Sequence, residues 1–113
     1  MATPEGRIKA VVTAFLKGLQ RRTRLFFFMP ANNGYGRSGL PDYVLCVPAV
    51  VTQEMVGQKI GLFVGIETKR PGGEDTVRPI QLLVASEIKD AGGKWFLVCS
   101  EHDARRVIES LNL

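Results

Sequence analysis

The sequence is poor in the residues that build zinc sites and disulfide frameworks. Its 113 residues include two cysteines, Cys46 and Cys99, and one histidine, His102. Both cysteines lie inside apolar runs, and cysteine is among the residue types most often buried. We therefore expect two reduced, buried thiols, as is usual where disulfides do not persist. His102 is expected in a surface or capping position, and a zinc centre built from Cys and His is disfavoured.

Long hydrophobic runs are also missing. No apolar stretch approaches the roughly 20 residues of a membrane-spanning helix, and the first residues lack the basic-then-apolar order of a secretory signal. The hydrophobic content of 45% and the charged content of 23% are ordinary for a globular protein. We expect one domain over residues 1–113, in the cytoplasm of a bacterium or of a virus-infected cell, without a membrane partner.

Acidic residues are outnumbered, because 15 lysines and arginines face 11 aspartates and glutamates, for a formal charge of +4. This balance favours a polyanionic partner without proving one. The basic residues are spread along the chain, with one cluster at Arg21, Arg22 and Arg24. Such a cluster is equally typical of a solvated helix end, where cations suit the helix dipole.

Three helices are predicted. Thr3 is a typical N-cap, followed by Pro4 at the first helical position and by apolar residues at helical spacing from Ile8 to Leu19. The second helix starts within residues 76–79 and ends at Gly92-Gly93; the third is capped by Ser100 and Asp103. The residues expected to face inward are Ile8, Val11, Val12, Phe15, Leu16, Leu19, Ile80, Leu83, Val84, Ile88, Ala91, Ala104, Val107, Ile108 and Leu111.

Four strands are predicted, over residues 25–29, 42–51, 60–69 and 94–99. The resulting order, αβββαβα, predicts an α/β fold with a mixed four-stranded sheet flanked by helices. Residues 52–59, with Gly57 in the turn, are expected to join the second and third strands as a hairpin.

The second and third strands carry a candidate metal site. Strand alternation places Glu67 and Lys69 on one face, and the expected hairpin brings Asp42 close to Glu67. Two neighbouring carboxylates repel unless a cation lies between them, and their hard oxygens suit Mg²⁺ or Mn²⁺. Lys69 could orient or deprotonate an attacking water. Taken singly, an exposed Glu-x-Lys pair and a Pro-Asp turn are common in any sequence.

Two other regions could belong to this site. Glu5 lies on the apolar face of the first helix, where a metal would remove the cost of directing a carboxylate towards the core; it also suits a helix start. Residues 31–39 form a glycine-rich loop that could hold phosphates or stack a base, or be a plain surface loop. The candidate DNA-binding residues are Asn32, Asn33, Tyr35, Arg37 and, after the third strand, Arg70.

These motifs resemble those of stand-alone members of the virus-type replication–repair nuclease (VRR-NUC) family, within the PD-(D/E)xK nuclease superfamily. The resemblance covers nearly the whole chain. It rests on an acid in an early helix (Glu5), on GLPD (residues 39–42), on ETK (residues 67–69) and on Gln81 in the following helix.

The resemblance implies a restriction-endonuclease-like αβββαβ core with an extra C-terminal helix. It implies that Asp42, Glu67, the main-chain carbonyl of Thr68 and Glu5 bind Mg²⁺, which Mn²⁺ could replace. Lys69 would be the catalytic lysine, and Gln81 would position water, metal or phosphate.

The implied activity is phosphodiester hydrolysis. We expect an endonuclease for branched DNA, resembling a Holliday-junction resolvase and acting as a homodimer. The alternatives are a flap or restriction-like nuclease, a DNA-binding module that keeps the fold without cleaving, and a structural subunit that uses the sheet edge or the first helix for assembly.

Overall fold

Helix α1 spans Pro4–Thr23 and begins where its sequence predicts. The structure, a computed structural model, describes residues 3–31, 39 and 41–112. The Thr3 hydroxyl accepts a hydrogen bond from the Gly6 amide at 2.9 Å. At the other end, Arg24 adopts the left-handed conformation (φ 61°) and its amide donates to the Gln20 carbonyl, an arrangement typical of helix C-termini.

The apolar stripe of α1 does not face the core as predicted. Among its six apolar positions only Leu16 is buried, and Val12 is half-buried. The exposed members of the stripe are Ile8, Val11, Phe15 and Leu19. Helical spacing identified the stripe but not its partner, and the helix contacts the rest of the chain through the edge of the stripe.

The described residues form four strands in the predicted order. Strand β1 is Phe26–Phe28, β2 is Val44–Cys46, β3 is Val64–Thr68 and β4 is Lys94–Val98. Each lies within a predicted apolar run, and β2 and β3 are much shorter than their runs. The observed class is therefore mixed α/β, with helices and strands in the order αβββαβα.

The strand pairing differs from the predicted four-stranded sheet. Strand β1 pairs antiparallel with β2, and β3 pairs parallel with β4, giving two separate two-stranded sheets in the described parts of the chain. The predicted hairpin between the second and third strands is therefore wrong. Pro48 has no amide hydrogen for a ladder, and residues 47–63 connect the sheets with one short 3₁₀ turn, Gln53–Met55. Gly57 does lie in a turn, at φ +83°.

The second sheet is covered by two helices. Helix α2, Pro79–Asp90, follows a 3₁₀ turn at Glu74–Thr76, and helix α3 is Glu101–Ser110. The inward side of α2 consists of Ala85 and Ile88, which are buried, and Val84, which is half-buried. The predicted inward residues Ile80, Leu83 and Ile108 are exposed, because each helix packs through a narrower stripe than its apolar content suggests.

One hydrophobic core joins the two sheets. Phe26 and Cys46 of the first sheet pack with Ile88 and Ala91 at the end of α2, and Phe63, Val84 and Trp95 complete the cluster. The rings of Phe26 and Phe63 meet edge to face, with centroids 5.8 Å apart. The sheets are therefore held together by side chains, without a shared ladder of backbone hydrogen bonds. None of the helices in the described ranges has the length and hydropathy needed to cross a membrane.

Candidate active site

The end of β3 brings together three of the predicted catalytic residues. Strand alternation puts Glu67 on the same face as Phe63 and Gly65, and this face lies against α2. An added Cβ on Gly65 would lie 3.3 Å from Ile88 Cδ1, so α2 approaches the strand closely. Lys69 follows the strand on the same side, and its amide donates to the Val98 carbonyl of β4 at 3.0 Å.

Gln81 connects this strand to the first turn of α2. Its Oε1 accepts a hydrogen bond from the Arg78 amide at 2.9 Å, and its Nε2 donates to Glu67 Oε1 at 2.7 Å. Since the Arg78 amide can only donate, it fixes which end of the Gln81 side chain faces it. The amide nitrogen must then face the carboxylate, so one side chain caps the helix and orients Glu67.

Lys69 and Glu67 form a partly buried ion pair. Lys69 Nζ lies 3.7 Å from Glu67 Oε1, and the two side chains are 19% and 28% exposed. This distance is within reach of an ion pair but too long for a hydrogen bond. The ammonium group therefore lies close to the carboxylate, and its N–H groups can donate to another acceptor.

Asp42 lies two residues before β2, in an exposed bend. Its neighbour Tyr43 ties this segment to α1, because the Tyr43 hydroxyl donates to the Lys9 carbonyl at 2.9 Å and lies 2.6 Å from Thr13 Oγ1. Tyr43 is half-buried. No hydrogen bond or ion pair between Asp42 and Glu67, Lys69 or Gln81 occurs in the described structure, since β2 pairs with β1 instead of β3.

Glu5 is exposed in the first turn of α1. Over residues 3–31, 39 and 41–112, no three His, Cys, Asp or Glu side chains lie close enough together to hold one metal ion. The structure therefore does not gather Glu5, Asp42 and Glu67 into a single cluster. Thr68, whose main-chain carbonyl is the remaining predicted ligand, is the last residue of β3.

The predicted DNA-binding residues are only partly described. Asn32, Asn33, Tyr35 and Arg37 lie outside the described residues, as does most of the predicted loop. Arg70 is exposed directly after Lys69. A basic residue that sequence reasoning missed is Arg78, the N-cap of α2. The glutamine three residues after it, at the capping-box spacing, is the signal that could have found it.

Both cysteines are free and buried, as predicted. Burial raises the pKa of the Cys46 thiol, and a backbone hydrogen bond with Gly93 opposes that shift. Burial likewise raises the pKa of Cys99, and the negative charges of Glu74 and Asp103 add to the effect. His102 is exposed in the first turn of α3, in agreement with its expected surface position.

No protein-family model, curated protein or solved structure matched the chain. The nuclease resemblance therefore rests on the motifs and on the order of the elements that carry them.

Proposed function

We propose that this protein is a Mg²⁺-dependent DNA endonuclease with a restriction-endonuclease-like αβββαβ core. The observation that carries the proposal is the convergence of Glu67, Lys69 and Gln81 at the end of β3 and the start of α2. These are three of the residues that the VRR-NUC resemblance assigns to the active site. The Gln81 amide and the Lys69 ammonium group both contact the same carboxylate oxygen, Glu67 Oε1.

The donor atoms at this place suit a hard cation. Both contacts to Glu67 fall on Oε1, so Oε2 and the Thr68 carbonyl are oxygen ligands of the kind Mg²⁺ prefers. Mg²⁺ takes its remaining ligands from water and substrate phosphate, so few protein ligands are sufficient. Asp42 is the second proposed carboxylate ligand, and Glu5 is the further ligand that the resemblance implies. When bound, the ion would polarise the phosphate and acidify a bound water.

Lys69 is the proposed catalytic residue. Its ammonium group lies beside Glu67 without a short hydrogen bond to it, so it can donate to a phosphate oxygen or position the attacking water. Gln81 keeps Glu67 in one orientation while this occurs. Arg70, directly after Lys69, and Arg78, the N-cap of α2, are both exposed and are proposed to contact phosphates of the DNA backbone.

Branched DNA is the proposed substrate. The chain is short and basic, so the shape and charge of the DNA backbone are expected to dominate recognition over base contacts. A homodimer would provide two active sites for paired cuts across a junction. The proposal places the protein in the cytoplasm of a bacterium or of a virus-infected cell.

A DNA-binding module that does not cleave is the second candidate. It would use the net positive charge of the chain and the exposed Arg70 and Arg78 to bind DNA. The two candidates differ in one measurable respect, which is turnover.

The deciding experiment offers the purified protein four-way-junction, flap, duplex and single-stranded DNA with Mg²⁺, Mn²⁺ or EDTA. Wild type is compared with Lys69→Ala, Asp42→Asn and the matched control Lys59→Ala, an exposed lysine of the connection between the sheets. We expect metal-dependent cleavage that falls by on the order of 100-fold or more in Lys69→Ala and Asp42→Asn. Lys59→Ala should cleave like wild type.

Binding measurements on the same DNAs separate the candidates. If wild type binds DNA tightly but cleaves none of the substrates with either metal, the nuclease proposal is overturned in favour of the binding module. Cleavage that Lys69→Ala retains in full would instead remove Lys69 from the mechanism.

A further inference from the structure

Helix α1 presents an apolar face to solvent. We define the α1 apolar face as Ile8, Val11, Phe15 and Leu19, which are 65%, 51%, 71% and 36% exposed. At about 100° per residue, these four side chains lie within roughly 80° of arc on the helix surface. A continuous face of this kind along three turns is typical of a helix packed against a partner.

Residues 3–31, 39 and 41–112, which the structure describes, leave this face exposed. Helix α1 contacts the body through Leu16, which is buried, and through Thr13 and Gln20, which are half-buried. These three positions are rotated by roughly 80–140° from Ile8. The hydrogen bond between Thr13 and Tyr43 and the ion pair between Arg24 and Asp90 hold the helix in this orientation. The centre of the stripe is therefore turned away from the core by specific contacts.

The exposed area is large for a single copy. The chain exposes 9165 Å², whereas a compact monomer of its 12.4 kDa mass is expected to expose about 6,100 Å². The difference is about 3,000 Å² for one copy, and the α1 apolar face is one part of it. The α1 apolar face alone supplies on the order of 400 Å² per copy, within the roughly 300–600 Å² of the largest apolar patch on a monomer, which is often functional. With the stems of flanking side chains, two such faces reach the roughly 1,000 Å² that a specific interface needs.

We propose that the α1 apolar face binds the same face of a second copy, with the two helices antiparallel. Charge decides the direction. A parallel pair would place the Arg21 and Arg22 clusters of both copies side by side, whereas an antiparallel pair places them at opposite ends. Such a two-fold arrangement is self-complementary, as the interface of a symmetric dimer must be.

The spacing of the residues also specifies the register. When Ile8 of one helix lies opposite Leu19 of the other, Val12 lies opposite Phe15 and Glu5 lies opposite Arg22. Each contact then occurs twice by symmetry. Glu5, exposed in the single chain, has a cationic partner in the dimer.

The oligomeric state tests the proposal without any cleavage assay. Sedimentation velocity over a concentration series compares wild type with Phe15→Glu and with Ile108→Glu, a matched control on the outer side of α3 that is 57% exposed. We expect wild type and Ile108→Glu to be dimers at micromolar concentration. The dissociation constant of the Phe15→Glu dimer should be about 100-fold higher than that of wild type, because each copy would place a charge in the centre of the apolar interface. Circular dichroism should show the same helical content in all three proteins.

A wild type that stays monomeric through the series overturns the proposal, as does a Phe15→Glu variant that dimerises as tightly as wild type.

Charge exchange tests the antiparallel register. Glu5→Arg and Arg22→Glu should each weaken dimerisation, by about threefold or more, and the double variant should recover most of the loss. A double variant weaker than either single variant would rule out this register. This inference rests on the homodimer of the proposed function. A dimer that cleaves no DNA would contradict the nuclease proposal alone, whereas a monomer that cleaves DNA would contradict the dimer alone.

Discussion

The thiols of Cys46 and Cys99 are shielded from water by the core and by the end of β4. Cys46 Sγ donates to the Ala91 carbonyl at 3.5 Å, and Cys99 is only 4% exposed. The pKa of each thiol is raised, chiefly by burial. Neither group therefore gives up its proton readily in the folded protein, and only the thiolate reacts with alkylating reagents.

We predict slow alkylation of both cysteines by iodoacetamide at pH 8 in the native protein and fast alkylation in concentrated urea. A raised pKa in the folded state also sets the sign of the pH dependence. The stability that the protonated thiols contribute is complete below the unfolded pKa of about 8.5 and is lost as the pH rises through the folded value. Urea unfolding at pH 7.5 and pH 10 measures this loss.

A Cys46→Ser, Cys99→Ser double variant provides the control for the alkaline measurement. Its free energy of unfolding should be lower than that of wild type at pH 7.5 and should change less between the two pH values. Rapid alkylation of the native wild-type protein at either cysteine would contradict the burial on which this prediction rests.

The site residues divide into those that local pattern can place and those that it cannot. Strand alternation was enough to put Glu67 and Lys69 on one face, and the structure confirms this placement. Gln81 was placed at the site by the resemblance alone, and its side chain does bond to Glu67. Asp42 was placed beside Glu67 only by assuming that two consecutive strands pair. That assumption concerns long-range partners, on which alternation carries no information, and it was wrong.

Helix ends were the most predictable elements because capping depends on residues that are close in sequence. The Ser100 hydroxyl accepts a hydrogen bond from the Asp103 amide at 3.0 Å, and Asp103 Oδ2 accepts one from the Cys99 amide at the same distance. This reciprocal cap links the end of β4 to the start of α3. The strand and helix therefore share one boundary.

We predict that Ser100→Ala lowers the free energy of unfolding by about 1 kcal/mol, because the Asp103 amide loses its acceptor. Ser86→Ala is a suitable comparison, since Ser86 is an exposed interior residue of α2 and alanine favours helix there. It should be neutral or slightly stabilising. Equal effects of the two substitutions in urea unfolding would argue against the cap.

Strand lengths were less predictable than helix ends. The apolar run over residues 42–51 contains a strand of only three residues, Val44–Cys46. The run over residues 60–69 contains a strand of five residues, Val64–Thr68. A run of apolar residues is compatible with a buried strand, but a strand forms only where a neighbouring strand supplies hydrogen bonds. Pro48 removes one such donor, and β4, distant in sequence, provides the partner for β3.

At the scale of the whole molecule, the turn between α2 and β4 allows the two sheets to share a core. An added Cβ on Gly93 would lie 2.8 Å from Ile88 Cγ2 and 3.2 Å from the Phe63 carbonyl oxygen. The next residue, Lys94, donates its amide to that same carbonyl at 2.9 Å. Gly93 is therefore the position at which helix, strand and core come closest.

We predict that Gly93→Ala lowers the free energy of unfolding by about 1–3 kcal/mol, because a well-packed region must shift to admit the methyl group. Gly61→Ala is the control, since an added Cβ there meets nothing within 4 Å. Its stability should stay within about 0.5 kcal/mol of wild type or rise slightly. Thermal unfolding of the three proteins gives the comparison, and a tolerated Gly93→Ala would show that the turn has room that the structure does not display.

The amide of Gln81 also couples two events that are usually considered separately. Local unfolding of the first turn of α2 would release the side chain that holds Glu67, and any ligand that draws Glu67 away would in turn leave Gln81 Nε2 without its acceptor and free the side chain that caps the helix. Occupancy of the site and fraying of the helix are then thermodynamically linked. Hydrogen exchange at the first amides of α2 would report what happens at a carboxylate on the neighbouring strand.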